Sequence, residues 1–295
     1  MLMFGKFYLS FAFCRAAAKR RAIIQCMYSG TTFRSHSGNF IGVHQKIDRI
    51  ARRDLRKISR VGRGFPSAKD ILHFEGNNGP DGIKRKSPGV DEPWHFIDPS
   101  DPSDTALVEM IMDHYANLVQ ALKKRNNNVR AAFEAAWMAH AITDGLTPAH
   151  HYPLGEKIEE LWGRPQNERA SIAEKGIIRG STMRETLSKN WEYWGAKGVF
   201  ATHVLFELGV ATSIKTTKFP DSAPNSIWLK LADDKDLQTV FLDAVQQVYA
   251  LGMYEEFWKR GWTTHLAQQT RQTLIPLIAN VITYFWYRAY REAHQ

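Results

Sequence analysis

Two histidines and an aspartate stand close together near the middle of the chain, in the segment HAITDGLTPAHHYP. His140 and Asp144 are four residues apart, so they share one face if this segment is helical. His150 follows a Gly and a Pro, which can turn the chain back toward the same point. Imidazole and carboxylate groups are costly to bury on an apolar helix unless they are paired or bind a metal. The spacing therefore indicates a metal site.

Further residues of the same chemistry lie on either side of this segment. His203 and Glu207 are again four residues apart, in the apolar run FATHVLFELGV. Asp81 lies in NNGPDG, His95 lies in PWHFIDP, and His44 begins a basic, helix-like segment. Taken singly, His44 also fits a hydrogen-bonded core histidine, and the His203/Glu207 pair also fits a structural ion pair. The interpretation as a metal site requires that the folded chain brings all of these side chains close together.

The remaining histidines and the cysteines limit what kind of site this can be. Five histidines have no partner pattern and are interpreted as structural or surface residues: His36, His73, His114, His265 and His294. His151 is an alternative to its neighbour His150 as the candidate metal ligand. The two cysteines, Cys14 and Cys26, both lie near the start, which excludes a disulfide framework and a thiolate site in the rest of the chain. Imidazole and carboxylate ligands without sulfur suit zinc in catalytic sites with open coordination.

Helical periodicity dominates the chain and must position these side chains. No stretch alternates as a strand would. The predicted helices cover residues 44–60, 105–125, 129–144, 155–162, 182–194, 199–217, 234–250 and 253–293, the last kinked or broken at Pro276. Residues 61–104, rich in Pro, Gly and Asp, predict a long irregular loop, and loops of that length are usually functional or disordered. We therefore expect one all-α, multi-helix domain over residues 40–295.

Positive charge is concentrated at the start of the chain. Residues 1–60 hold thirteen Lys and Arg and two acids, whereas the other 235 residues hold 26 basic and 28 acidic residues. The net charge of +9 therefore does not indicate a broad nucleic-acid-binding surface. Residues 1–39 fit a basic leader that is either a targeting segment or disordered. In a secretory signal the positive charge comes before the apolar stretch, whereas here it comes after, so the leader is not a clear secretory signal. An organelle transit peptide and a start at Met27 are alternative interpretations.

The ordered set of residues resembles a known superfamily. The run H-x3-D-x5-H, with Pro two positions before its last His and H-x3-E later, is similar to zinc-dependent phospholipase C. The single-strand-specific zinc nucleases of fungi and plants share the first run, and WHFID at 94–98 resembles their loop. The resemblance spans roughly residues 40–210. It implies a single all-α domain of the zinc phospholipase C and zinc nuclease type that holds three zinc ions.

Carried over by position, the resemblance implies three ligand sets. One zinc ion would be bound by Asp81, His95, His140 and Asp144, a second by His150, His203 and Glu207, and a third by His44 together with the shared Asp144. Asp144 would bridge two ions. Asp81 would orient the attacking water or act as general base. Asp81 and Asp144 are therefore the expected catalytic carboxylates.

Two departures from the superfamily pattern bear on this assignment. In the superfamily, the amino group and carbonyl of an N-terminal Trp complete the third site, but the first Trp here is Trp94. We therefore expect two or three zinc ions per chain. The separation between His150 and His203 is also long, which implies an insertion around residues 155–195 over the site.

The resemblance implies a zinc-dependent phosphodiester hydrolase that uses metal-activated water for attack at phosphorus. The H-x3-E run and the near-neutral body favour a phospholipase C-like enzyme acting on phospholipid, whereas WHFID favours a nuclease acting on single-stranded nucleic acid. Four aromatic side chains could form a lipid-facing wall or a base-stacking platform, or could pack in the core: Trp137, Tyr152, Trp162 and Trp191.

A different class of function also fits the sequence. The missing Trp and the basic leader are consistent with a non-catalytic, metal-binding or membrane-surface helical protein that the leader holds on anionic lipid. Peripheral membrane contact is expected in either case, and no protein partner is implied. By the resemblance, the protein would be secreted or bound at a membrane surface.

Overall fold

A computed structural model describes residues 42–58, 64–82, 95–124, 127–164, 168, 177–195, 197–220 and 222–295. The α-helices are α1 (Val43–Ile58), α2 (Ala68–Leu72), α3 (Ala106–Lys123), α4 (Asn128–Gly145), α5 (Leu154–Trp162), α6 (Met183–Trp194), α7 (Val199–Ile214), α8 (Ser226–Asp233), α9 (Leu237–Tyr249), α10 (Met253–Arg260), α11 (Thr264–Gln269) and α12 (Ile275–Ala293). No strand occurs in these residues, which confirms the all-α class and one domain. The leader 1–39 and Trp94 lie outside the described residues.

Helix α4 forms the centre of the fold because it is covered on nearly every side. It packs against α3 along its length and also against α1, α2 and α12. Its many alanines let these neighbours approach closely, and the helix is almost wholly buried from Ala131 to Gly145. Trp286 of α12 is fully buried, and its Nε1–H donates to the Ala135 carbonyl at 3.2 Å. Removing that side chain would cost about 3–5 kcal/mol of folding stability.

The end of α4 turns the chain sharply, as Gly145 and Pro148 predict. A Cβ on Gly145 would lie 2.6 Å from Phe241 and 2.8 Å from Leu107, so only glycine fits between these side chains. A 3₁₀ turn, Pro148–His151, follows directly. Its His150 N–H donates to the Thr147 carbonyl at 2.8 Å. The turn returns His150 to the end of the helix that carries Asp144.

Helices α5 and α6 occupy about half of the predicted insertion at 155–195 and contribute to a small second core. Its buried residues are Leu154, Ile158, Ile178 and Tyr193. Phe96 and Phe200 pack against this cluster, which therefore lies beside the loop that carries His95 and the start of α7.

Three details differ from the sequence expectation. Within residues 61–104, the structure contains α2, whose N-terminus is held by a reciprocal capping box between Ser67 and Asp70. Helix α8 is not predicted by the sequence pattern. The last helical pattern breaks first at Gly261, which has φ of 72°, and then widens into a π turn at Thr270–Leu274. The wide turn lies directly before Pro276, which cannot donate a backbone hydrogen bond.

Among the described residues, no helix combines the length and the apolar character that a bilayer crossing requires.

Candidate metal centre

Six separate parts of the chain deliver the eight predicted ligands to one place. Helix α4 supplies His140 and Asp144, and helix α1 supplies His44. The 3₁₀ turn after α4 supplies His150, and helix α7 supplies His203 and Glu207. Asp81 lies in the short helical stretch 80–82, and His95 lies in the extended segment 95–98. Most of these side chains are buried among apolar residues, and only Asp81 and Glu207 are partly exposed.

Three sets of ligand atoms lie close enough to share an ion. The sets are His44/His140/Asp144, Asp81/His95/His140 and His150/His203/Glu207, and within each set the atoms lie within 4.8 Å of one another. They contain the same eight residues as the predicted ligand sets, with two differences in grouping. Asp144 is grouped with His44 and not with Asp81 and His95, and His140 also stands beside His44, with the two rings stacked at 4.0 Å. That these residues bind zinc stays a prediction, but the clusters could hold metal ions.

Asp144 contacts four histidines. Its Oδ1 lies 3.3 Å from His44 Nε2 and 4.0 Å from His150 Nδ1. Its Oδ2 lies 3.3 Å from His140 Nε2 and contacts His95 Nδ1. A carboxylate whose two oxygens face different histidines has the arrangement that a bridging ligand needs. Asp81 Oδ1 lies 3.6 Å from His140 Nε2 on the other side, and its side chain is 33% exposed, so this edge of the centre reaches solvent.

The set on α7 is equally compact. His150 Nε2 and His203 Nε2 each lie 3.1 Å from Glu207 Oε1. The His150 Nδ1–H donates to the His95 backbone carbonyl at 2.6 Å, which leaves Nε2 for the site. Phe96 covers this set, with its ring stacked on His150 at 5.1 Å.

The spacing of the donor atoms fits a small tetrahedral ion. Zinc binds nitrogen and oxygen at about 2.0–2.2 Å, so two ligands of one tetrahedral ion lie about 3.4 Å apart. The separations of 3.1, 3.3 and 3.6 Å around Glu207, Asp144 and Asp81 bracket this value. The contact between His95 Nδ1 and Asp144 Oδ2 is shorter than this and is a hydrogen bond, so the fit concerns the other separations. The donor set therefore fits a zinc-sized cation.

The electrostatics favour a cation at the same place. Burial raises the pKa of Asp144 and Asp81, but the charges of the adjacent histidines outweigh burial and hold both pKa values below the usual range. Burial lowers the pKa of His140, yet Asp144, Glu75 and Asp81 raise it well above 6.5. Burial likewise opposes a charged Glu207, but His203 and His150 lower its pKa to about 2. Without a metal, the carboxylates stay ionised and draw protons onto the imidazoles, so a bound cation would displace those protons.

Two further buried carboxylates lie close to the centre, and neither is among the residues predicted from sequence. Glu75 is buried, and the His140 Nδ1–H donates to its Oε2 at 3.3 Å, which directs His140 Nε2 toward the ligand set. Asp48 is buried one turn after His44 on α1, and burial followed by the charge of Glu75 raises its pKa well above 3.8. The spacing of His44 and Asp48 is a signal that sequence reasoning could have used. No local pattern marks Glu75.

Three other histidines of the described residues have partners of their own, and His36 lies outside the described residues. His151 is partly buried and its Nε2–H donates to the Gly145 carbonyl at 2.9 Å, so it does not replace His150. His114 and His265 form their own pairs with Glu134 and Glu256. Of the four highlighted aromatic residues, Trp137, Tyr152 and Trp162 are half-buried, and Trp191 is exposed.

No protein-family model, no curated protein and no solved structure matches this chain. The likeness to zinc phospholipase C and the zinc nucleases thus depends on the ordered ligand residues alone.

Proposed function

We propose that this chain is a zinc-dependent phosphodiester hydrolase of the phospholipase C type, with the all-α fold of the zinc phospholipase C and zinc nuclease superfamily. One observation carries the proposal: eight His, Asp and Glu residues that are scattered over the chain form three adjoining sets of donor atoms. Three adjoining sets match the chemistry of phosphodiester cleavage better than an isolated structural site does, because charge develops on several oxygens at once.

Bound zinc would supply positive charge to the phosphoryl oxygens and lower the pKa of a water molecule to about 7. The chain's residues would hold it as predicted: Asp81, His95, His140 and Asp144 in one set, His150, His203 and Glu207 in a second, and His44 with Asp144 in a third. Both Asp144 oxygens face histidines of different sets, which supports a bridging role.

Asp81 is the residue best placed to meet the attacking water. Its carboxylate is partly exposed at the open edge, whereas Asp144 is 2% exposed. Because its pKa is held low, Asp81 would orient the water through an accepted hydrogen bond more than it would retain the proton. Phe96 over His150 would keep bulk water from the opposite side.

Measurement of bound metal together with hydrolysis tests the proposal. Purified protein should hold two or three zinc ions per chain by mass spectrometry and should hydrolyse p-nitrophenylphosphocholine. His140→Ala and Asp144→Ala should lose zinc and turnover while keeping the helical circular-dichroism spectrum. His265→Ala is the matched control, because His265 also pairs with a carboxylate but lies outside the centre. One zinc or none, with no hydrolysis, would favour the non-catalytic alternative.

A single-strand-specific nuclease is the second candidate, and the WHFID segment favours it. His95 and Phe96 of that segment lie within the centre and beside it. Hydrolysis of single-stranded DNA in preference to the phosphocholine ester would identify this activity. The acidic balance of the body and Glu207 at the end of the second run favour the lipid substrate.

A further inference from the structure

Three large apolar side chains stand in line on the outer face of α6. Met183, Leu187 and Trp191 are spaced four residues apart and are 83%, 67% and 73% exposed. At this spacing they form one continuous strip along the helix. We call these three residues the α6 strip.

The helix under the strip is firmly attached to the domain. The Asn190 side chain donates to the Ile178 carbonyl at 2.6 Å and accepts from the Ile178 N–H at 3.2 Å. Tyr193 is buried and stacks on Phe200 at 5.1 Å. Because one face of α6 is held in this way, the strip is an outward face of a fixed helix.

The helix that carries the strip packs against α7, the helix that carries His203. Phe200, which contacts Tyr193, is in the first turn of α7, and His203 follows three residues later on the same helix. A surface that rests against the strip would therefore be one helix away from the set that contains His203.

The charges around the strip are mostly basic, with one exposed acid, Glu192, directly after Trp191. Arg184 projects about 20° from Trp191 around the helix axis, so a basic group borders the apolar residues. Glu185 projects on the other side of the helix, where it pairs with Lys189 at 2.9 Å. Two more basic side chains, Arg179 and Lys197, are exposed at the two ends of the α6 segment. Apolar residues that include Trp, bordered by basic residues, form the pattern of a helix lying in the surface of an anionic membrane.

We propose that the α6 strip inserts into the surface of a phospholipid bilayer that contains anionic headgroups. A nucleic acid fits this face less well, because Met and Leu offer no ring for base stacking and the body of the chain is slightly acidic. The consequence for catalysis, that docking brings a lipid phosphodiester to the centre, rests on the proposed function. The docking itself does not.

Sedimentation with vesicles tests the docking. Full-length, zinc-loaded protein is mixed with vesicles of phosphatidylcholine and phosphatidylserine at four to one. We expect Met183→Ser, Leu187→Ser and Trp191→Ser together to lower the partition coefficient by at least about tenfold while the zinc content stays at the wild-type value. The matched control is Ile227→Ser with Leu231→Ser, two exposed apolar residues at the same spacing on α8, which should leave partitioning unchanged.

A milder variant guards against a loss of folding in the triple variant. Trp191→Phe keeps an apolar ring, so it should sediment like the wild type. It should lose most of the quenching that brominated phospholipid produces in wild-type tryptophan fluorescence. Unchanged quenching in Trp191→Phe would place the contact elsewhere and overturn the proposal.

Two other results would overturn the docking. In the first, the triple variant sediments as well as the wild type. In the second, the triple variant binds vesicles normally but loses binding to single-stranded DNA, which would identify a base-stacking surface. By contrast, strip-dependent vesicle binding without hydrolysis of soluble p-nitrophenylphosphocholine would support docking and refute the proposed function.

Discussion

The two ends of helix α4 each bury a carboxylate, and their surroundings differ in one decisive way. Glu134, near the start, contacts His114 at 2.6 Å and also Arg130, which lies one turn before it on the same helix. Asp144, near the end, contacts four histidines from four parts of the chain and, within the described residues, no Lys or Arg. Arginine carries a permanent charge, whereas histidine carries one only when protonated.

This difference distinguishes a carboxylate that is already neutralised within the protein from one that needs a proton or a metal ion for neutrality. Glu134 is neutralised by a neighbour that cannot lose its charge, so nothing further is needed there. At Asp144, with Asp81 and Glu75 close by, neutrality depends on protons taken up by imidazoles or on a metal that replaces them. A His–carboxylate contact alone is therefore a weak sign of a metal site, and convergence without a permanent cation is a stronger one.

The largest contrast is expected between Asp144→Asn and Glu134→Gln. The first removes the charge that two ligand sets share and should lower zinc affinity by about 100-fold or more. The second should cost about 1–3 kcal/mol of folding stability, because Arg130 and His114 lose their partner, and should leave zinc content unchanged. Zinc competition titrations and chemical denaturation measure the two effects. Equal zinc loss in both variants would contradict the view that Asp144 binds metal and Glu134 does not.

Acid should weaken metal binding at the Asp144 end more steeply than one proton would explain. The pKa values of His140 and His150 are both raised, because the neighbouring carboxylates outweigh burial, so both rings keep their protons to higher pH than a free histidine when no metal is bound. Zinc must displace these protons, and its affinity should therefore rise with pH by more than tenfold per unit between about pH 6 and 8. Titrations with a chromogenic chelator at each pH measure the slope. A slope that shows no proton release would contradict the assignment of these ligands.

The same raised pKa values give the folding stability of the metal-free protein the opposite dependence on pH. A histidine with a raised pKa in the folded state contributes stability below its unfolded pKa and loses that contribution as pH rises through the folded value. In chelator, we expect the melting temperature to fall as pH rises above about 6.5, whereas zinc-loaded protein should hold or gain stability. Parallel thermal melts with and without chelator distinguish the two curves.

Glu75→Gln should have an intermediate effect. The amide can still accept from His140 Nδ1–H but lacks the charge that makes His140 a stronger ligand, so zinc affinity should fall by about 10–100-fold. Glu256→Gln is the matched control, because Glu256 contacts His265 at 2.8 Å away from the centre. If Glu75→Gln binds zinc like the wild type, Glu75 is only a packing residue.

The smallest effect is expected at the exposed pair. His265→Ala removes a surface contact with Glu256 and should change the free energy of unfolding by about 0.5 kcal/mol or less. Zinc content should stay at the wild-type value. Loss of zinc in this variant would show that the meeting of several histidines around a carboxylate does not identify the metal site.

The long helices were predictable because their periodicity and end signals agree. The bounds of α3 and α4 lie within two residues of the sequence expectation. Helices α2 and α8 are short, and their evidence lies in single caps, Ser67 with Asp70 and Asn225 with Trp228. Such caps are too brief to stand out in a segment rich in Pro and Gly. Residues 83–94 lie outside the described part of the chain, so the rest of the predicted loop stays a prediction.

The predicted ligands and their supporting residues differ in how visible they are in sequence. His140 with Asp144 and His203 with Glu207 carry their own spacing, and helical geometry places each pair on one face. Glu75 acts only because α2 and the turn after it pack against α4. That contact is a product of tertiary packing, which leaves no local pattern.

His95 connects the part of the centre around Asp144 with the set formed by His150, His203 and Glu207. Its ring contacts Asp144, and its backbone carbonyl accepts from the His150 ring. An ion that fixes this ring also fixes the peptide that orients His150, so the second ion meets a site already ordered by the first. By thermodynamic linkage the reverse also holds. Loading should therefore be cooperative, with partly filled centres scarce at half saturation.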